Sequence, residues 1–484
     1  MNEKDFIVTA IEKNKNTFCE LSDKIWEYAE TWFQEFKSAE LLCNALEKEG
    51  FNIERGIAGI PTAFVATYGS GAPAVAFLGE YDALSGMSQK SMSSKQEPLL
   101  QNGNGHGCGH NLLGVGSLAA AIAVKDYIKE KNILGTVKYF GCPAEESGSG
   151  KTFMVREGAF KDIDVAFTWH PSTHNSVVSV NFLASLQYRF KFHGKSSHAA
   201  ASPFLGRSAL DAVELMNVGS NYLREHMHRD TMLHYAITNT GGISPNVVQA
   251  EAEVLYYIRA PKVSQAIELA ERVCNVAKGA AMMTGTECEI CIEDGLSNLV
   301  PNRVLEEVLY ESFKQIGINQ FDKEELKFAQ EIRETLSKQH IIHDLMGFKA
   351  IMGDSNKEIS EYCQAIENKL VSDLLVPYAP SSVTIPGSTD VGDVSYVVPT
   401  AQIITACSAI GTPEHSWQLV SQGKSSIAHK GMLTAGKVLA AAAINVLLNP
   451  KIAEKAKTEL KLKLEGEPYI CPLPNDYKPP VNLK

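Results

Sequence analysis

The chain has 484 residues, 44% of them hydrophobic and 21% charged, with a formal net charge of −11. That length exceeds one ordinary core and predicts two domains, while the composition excludes global disorder. The acidic balance argues against an extended nucleic-acid surface, so no nucleic-acid partner is expected.

The first residues, Met1 to Phe6, are polar and lack an apolar core of signal-peptide length. No long stretch free of polar groups resembles a membrane span. Ten cysteines are scattered rather than arranged as the framework of a small secreted domain. A cytoplasmic protein with reduced thiols and no membrane partner is the expectation.

In chain order, residues 6 to 37 mix apolar and polar positions, among them Ile25, Trp26, Tyr28, Trp32 and Phe33. They suit a helix packed on a larger body and a short connection. Ser38 is placed to cap a second helix, with Leu42, Ala45 and Leu46 on its apolar face and Gly50 ending it. Residues 62–68 read as a strand. A second strand, Ala74 to Gly79, is apolar almost without alternation, as in a sheet covered on both faces, and it delivers Glu80 and Asp82 to its end. Two residues apart on extended backbone, those acids point the same way, although a solvated acidic turn would read alike. Residues 85–105 form a long polar loop, either a substrate cover or a passive insertion.

The stretch Asn104-Gly105-His106-Gly107-Cys108-Gly109-His110-Asn111 concentrates soft and borderline donors among three glycines. A buried helix of small residues follows towards Lys131 and would hold such donors rigidly. Gly135 to Gly141 is another strand, ending in Cys142-Pro143-Ala144-Glu145-Glu146. On extended backbone the two glutamates would face opposite sides, one towards a metal and the other towards water or substrate. A strand at 164–168 ends at Trp169-His170-Pro171. Acids and imidazoles thus recur beyond strand ends, where chemistry gathers in α/β sheets.

Residues 188–296 change character. Strands at 186–194, 233–240, 250–258 and 287–292, with helices from Ser208 and over 263–280, give the order of a small α+β sandwich. This suggests an inserted domain between catalytic segments 1–187 and 297–484. His193 reads as structural, while His198 lies between polar turn residues and is the better candidate for reaching a substrate.

Beyond Pro301, a helix carries Val304, Leu305, Val308, Leu309, Phe313 and Ile316 on one face. Residues 322–373 are charge-rich and helical in period, suited to covering the main domain or an oligomer surface. In Ser388-Thr389-Asp390-Val391-Gly392-Asp393, Asp393 is read as organising a loop or orienting a ligand histidine. A strand at 402–409 precedes His415, which folding can bring to the donor set. His429 opens a small-residue helix and reads as structural. Lys451 to Lys463 reads as a solvated helix face, and the proline-rich tail as an extended packed end or a flexible one.

This mixture of carboxylate, imidazole and thiolate suits two divalent ions, Zn or Mn, with a thiolate able to bridge them. Glu145 is placed to take a proton from water and return it to a departing amine.

The segments Gly79-Glu80-Tyr81-Asp82-Ala83-Leu84, Cys108-Gly109-His110-Asn111, Pro143-Ala144-Glu145-Glu146, His170-Pro171, Gly194 to Ala200, Pro245-Asn246-Val247 and His415-Ser416 together resemble the M20 metallopeptidases. Within them the amidohydrolase branch is most similar, and the polar loop before His106 looks most like its large B-type p-aminobenzoyl-glutamate hydrolase group. The resemblance implies an α/β fold: a mixed-sheet di-metal hydrolase domain with an inserted α+β lid and dimerisation domain. It implies hydrolysis of N-acyl amino acids and two metal ions held by Cys108, His110, Glu146, His170 and His415, Cys108 bridging. It further implies Glu145 as acid and base, Asp82 as the orienting acid, and His198 reaching the active site of a partner subunit. Asn246 and Arg259 would hold the substrate carboxylate. A homodimer, or a heteromer with a related chain, follows from the same resemblance. Asn111 stands where many relatives have Asp, and Cys142 where many have Gln, which weakens any ligand role for position 111.

Overall fold

The computed structural model describes residues 2–352 and 357–481, the side chains of 348–352 excepted. The chain opens with α1 (Glu3–Lys13), α2 (Lys15–Tyr28) and α3 (Phe36–Lys48). One helix expected across 6–37 is therefore two, parted at Asn14, whose backbone leaves the helical region at φ −104° and ψ 7°. Ser38 does not cap α3. It lies inside the helix, buried, with its hydroxyl donating to Glu30.

Next come β1 (Asn52–Arg55), β2 (Phe64–Ser70), β3 (Ala74–Glu80), α4 (His110–Lys131), β4 (Gly135–Cys142), α5 (Glu145–Gly148), α6 (Gly150–Arg156), β5 (Val165–Ser172), β6 (Ser176–Val178) and β7 (Asn181–Phe182). After them follow β8 (Ala184–His193), α7 (Ala209–Leu223), β9 (Met232–Asn239), β10 (Glu251–Ala260), α8 (Val263–Thr284) and β11 (Glu287–Leu296). The chain closes with α9 (Arg303–Ile316), α10 (Lys323–Glu334), α11 (Lys338–Met352), α12 (Lys357–Ile366), β12 (Thr384–Ile385), α13 (Val391–Val397), β13 (Thr400–Ala406), α14 (Trp417–Gln422), α15 (Ser426–Leu448) and α16 (Lys451–Lys463).

The main sheet runs β1-β2-β4-β3-β5-β13-β6. β4, β3, β5 and β13 are parallel and the outer pairings antiparallel, so the sheet is mixed. β3 is buried along its whole length. Val75 and Phe77 join a core shared with α4 and α15, whereas Ala76 and Leu78 join one shared with α6 and α13. Period-two alternation therefore feeds two apolar layers, which explains the unbroken hydrophobic run.

α4 and α15 are long and apolar enough to cross a membrane by length and composition, yet both are buried against the sheet and each other. Small residues allow that approach: a Cβ on Gly436 would lie 3.0 Å from the Gly116 carbonyl. They are core helices.

β11-β8-β10-β9 form a separate antiparallel sheet with α7 and α8 packed on one face and a hydrophobic core of their own. β10 alternates between buried and partly exposed positions, as a sheet with one wet face requires. α10 to α12 cover the end of the main domain beyond β13, packing Phe328, Ile332 and Ile359 near Ala406, Ala409 and Ile410. Residues 353–356 of that segment lie outside the described residues. α16 buries Ala453, Ala456 and Leu460 and turns its lysines outward. The tail is packed: the carbonyls of Pro474 and Tyr477 each accept a 2.8 Å hydrogen bond from Arg156.

Candidate metal centre

Parallel strands β3, β4, β5 and β13 release their loops at one edge of the sheet, and α4 points its N-terminus there. Gly109 takes the left-handed φ of 77° that turns Cys108 and His110 into place, and a Cβ there would stand 3.1 Å from Pro171. His415 is itself left-handed, φ 54°, a conformation costly for a residue with a side chain. Its N–H is tied to the Gly107 carbonyl at 2.8 Å, so the β13 loop is pinned on the glycine loop.

The donor atoms gather into overlapping groups. Cys108, His110 and His170 have ligand atoms within 4.8 Å of one another, and so do Cys108, Glu146 and His415. Cys108 belongs to both. Glu80, His110 and Glu145 make a third group within the same limit. A dinuclear metal-binding site is present here, and these are the side chains that could hold its ions.

Hydrogen bonding fixes which nitrogen of His110, which is buried, and of His170, which is partly so, is free to bind. His110 Nδ1 donates to Asp82 Oδ1 at 2.8 Å, leaving Nε2 buried without a hydrogen-bond partner. His170 Nδ1 donates to the Pro171 carbonyl at 2.7 Å, and its Nε2 faces the Cys108 sulfur at 3.2 Å. Such outer contacts orient the ring and select the ligating tautomer. Asp82 also accepts from the Glu146 backbone N–H at 2.9 Å, so it positions a histidine and a glutamate at once. Glu146 Oε1 is a second buried atom without a partner, and Glu146 Oε2 lies 3.4 Å from His415 Nε2. Orphaned polar atoms converging from separate loops are what a cation would satisfy, so the residues fit the group.

Residues 76–363 match the family model described as Peptidase family M20/M25/M40. The chain belongs to this peptidase family. It is 46% identical over 474 residues, 98% of each chain, to the B-type subunit of p-aminobenzoyl-glutamate hydrolase from Escherichia coli (strain K12). It is 30% identical over 467 residues to the Xaa-Arg dipeptidase of Mus musculus, covering 93% of this chain and 90% of that one. A dinuclear metal-binding peptidase of the M20 family from Bacillus subtilis shares the fold with a TM-score of 0.55 at 16% identity, covering 90% of this chain and 99% of that one. An aminobenzoyl-glutamate utilization protein from Klebsiella pneumoniae does so with a TM-score of 0.58 at 17% identity, covering 90% and 97%.

In this M20 peptidase the backbone at the paired glutamates differs from the extended form expected. Ala144 is left-handed, φ 56°, and Glu145 begins the short α5. The two carboxylates still part company, Glu146 towards Cys108 and His415, Glu145 towards Glu80 and His110. Burial pushes the Glu145 carboxyl well above its usual range, with Glu80, Asp390 and Glu146 adding to the shift. Burial opposes charge on His110, but Asp82 and Glu80 outweigh it and raise its pKa well above the usual imidazole value. For Cys108, burial and then Glu146 and Glu414 hold the thiol protonated until a cation competes for the sulfur.

Lys151 belongs to none of the motifs legible in the sequence. Its ammonium is completely buried, 2.6 Å from Glu80 Oε1 and 2.6 Å from Asp390 Oδ1. Its position directly after Gly148-Ser149-Gly150 is one where a lysine ordinarily lies in water, so no local signal marks it. Of the two roles expected for Asp393, organising a loop or orienting a histidine, its contacts are those of the first: it accepts from Ser297, Thr152 and Tyr469. Asn111 binds Ser22 and the Gly423 carbonyl, and Cys142 is buried in the core, so neither belongs to the donor groups.

His198 lies apart from those groups, exposed on the loop after β8. Its Nδ1 accepts from the backbone N–H groups of Ala200 and Ala201, at 3.2 and 3.1 Å, which leaves Nε2–H pointing outward as a donor. Asn246 adjoins it through its own carbonyl, which accepts from Ala199 N–H. Arg259 stands elsewhere: it donates to the Pro386 carbonyl at 2.6 Å and to Ser388 Oγ at 3.0 Å, with its guanidinium over Tyr257.

Proposed function

We propose that the chain hydrolyses the amide bond of N-acyl amino acids, with p-aminobenzoyl-glutamate giving p-aminobenzoate and glutamate as the reaction. The observation that carries this reading is the convergence of Cys108, His110, Glu146, His170 and His415 into two groups sharing one sulfur, beside Glu145. Those five side chains would hold two divalent ions, Zn or Mn, Cys108 belonging to both groups. Ions held there would polarise the acyl carbonyl and lower the pKa of a water molecule to about 7.

Glu145 accepts one proton from the attacking water as its oxygen bonds to the acyl carbon. It returns that proton to the amide nitrogen as the carbon–nitrogen bond breaks, so acid and amine leave with atoms and charge balanced. The raised affinity of Glu145 for a proton favours the first step, its uptake from water. Asp82 holds His110 and the Glu146 backbone in place throughout.

The segment 188–296 serves as lid and dimerisation domain between catalytic segments 1–187 and 297–484. His198, with its outward Nε2–H, donates to the developing oxyanion of a partner protomer's site, and Asn246 and Arg259 hold the substrate carboxylate. The active assembly is a homodimer or a pair with a related chain, the latter in keeping with a relative whose name makes it one subunit of a hydrolase. We place it in the cytoplasm.

Measuring kcat/KM for the purified, metal-loaded chain on p-aminobenzoyl-glutamate, its aspartate analogue and neutral acyl amides tests the assignment. A clear preference for glutamate is expected. Equal rates across the series would leave a broader N-acyl-amino-acid or dipeptide hydrolase, in line with the likeness to Xaa-Arg dipeptidase. Metal binding without turnover, alone or with a partner, would leave a noncatalytic assembly role.

A further inference from the structure

A cavity of about 310 Å³ is lined by residues next in the chain to two of the metal-donor candidates. Pro171 and Glu414, chain neighbours of His170 and His415, line it together with His340, His343 and Asp344 of α11. The helix is seated firmly. Asp344 accepts from Gly411 N–H at 2.7 Å and from Thr173 Oγ1 at 3.0 Å, and burial of Asp344 is outweighed by His174, which holds its carboxyl below the usual range. Gly411 is left-handed, and a Cβ there would meet Ile341 of α11 at 2.8 Å, so the helix lies directly on the loop that leads to His415.

Asp344 is thus consumed in docking, while His340 and His343 are exposed. Two imidazoles, Pro171 and Leu419 share this lining, side chains able to pack against a flat group. The volume is at the small end of ligand pockets and suits one ring rather than an extended chain.

We infer that this α11-lined pocket receives the acyl group of the amide substrate and that His340 and His343 select an aromatic one. The inference rests on the hydrolytic reading above, in which the carboxylate side of the substrate faces the 188–296 segment. It gives the helical segment 322–373 a role in choosing substrate.

The test compares p-aminobenzoyl-glutamate with N-acetylglutamate in the metal-loaded full chain, wild type against a His340→Ala, His343→Ala double variant. Loss of two ring contacts should lower the ratio of kcat/KM, aryl over acetyl, by about tenfold. His340→Phe with His343→Phe should restore it, since a ring is retained at each position. An unchanged ratio in the alanine variant, or no restoration by phenylalanine, overturns the inference. If the wild type hydrolyses neither amide, the hydrolytic reading fails, and p-aminobenzoate binding by calorimetry decides the pocket separately. Binding about tenfold weaker in the alanine variant upholds it, and equal binding overturns it.

Discussion

Replacing one carboxylate oxygen of Glu145 with an amide separates proton transfer from everything else the centre does. Glu145→Gln should fold, retain both ions and lower kcat by about 10²–10⁴-fold, the usual worth of a positioned acid–base group. Single-turnover kinetics on the metal-loaded variant checks this, and a rate near wild type removes Glu145 from the role. Lys151 makes the opposite kind of prediction. Lys151→Met leaves Glu80 and Asp390 buried without their shared cation, which should cost about 3–5 kcal/mol in urea unfolding of the metal-free protein. Adding Glu80→Gln and Asp390→Asn should recover most of it. The donors themselves could be read from the sequence because Glu146 and His170 stand at or just beyond the ends of apolar strands and Cys108 and His110 share a glycine-rich loop ahead of an apolar helix. Lys151 could not, since a lysine beside a glycine turn ordinarily lies in water, and only the fold brings Glu80 and Asp390 to it.

Among elements, the packing of α4 on β5 depends on the absence of a side chain at Gly116. A Cβ there would lie 2.6 Å from the Trp169 ring, so Gly116→Ala should cost about 1–3 kcal/mol through overpacking, read as a shift in the urea midpoint at constant slope. α15 is joined to α2 by His429 Nε2, 2.9 Å from Asp23 Oδ1. Burial disfavours charge on His429, but Asp23 and Cys19 outweigh it and raise its pKa to about 9. Because this exceeds the ordinary value of 6.5, the contribution is complete below pH 6.5 and is lost as pH rises through 9. A charge-assisted contact of this kind is worth about 1.5–3 kcal/mol. Asp23→Asn should flatten the fall of thermal stability between those pH values, and a wild-type slope in the variant contradicts the assignment. The long periodic elements were legible, as were the four strands β8 to β11. The short pieces β1, β6, β7 and β12 were not, because two to four residues carry too little pattern to separate strand from loop. The left-handed Ala144 was hidden for another reason, since nothing in an alanine signals that backbone form.

Across the whole molecule, the layered main sheet gathers residues spread from Glu80 to His415 at one edge, while β8 to β11 carry His198 and Asn246 away from it. A single chain therefore brings the candidate metal donors together but leaves His198 outside their groups. This matches the proposed contribution from a partner protomer: His198→Ala should lower kcat with little change in bound metal, and activity should fall on dilution below the dissociation constant of the assembly. The centre itself was legible as a set of residue types. Its pairing through Asp82, which grips His110 and the Glu146 backbone together, required the three-dimensional arrangement.

Calorimetric titration of the metal-stripped chain with Zn²⁺ reads the shared sulfur directly. Two ions should bind per chain in the wild type and in Glu145→Gln, and Cys108→Ser should weaken both together. One ion per chain, or a serine variant that loses one ion while binding the other at wild-type affinity, would contradict a centre built around Cys108.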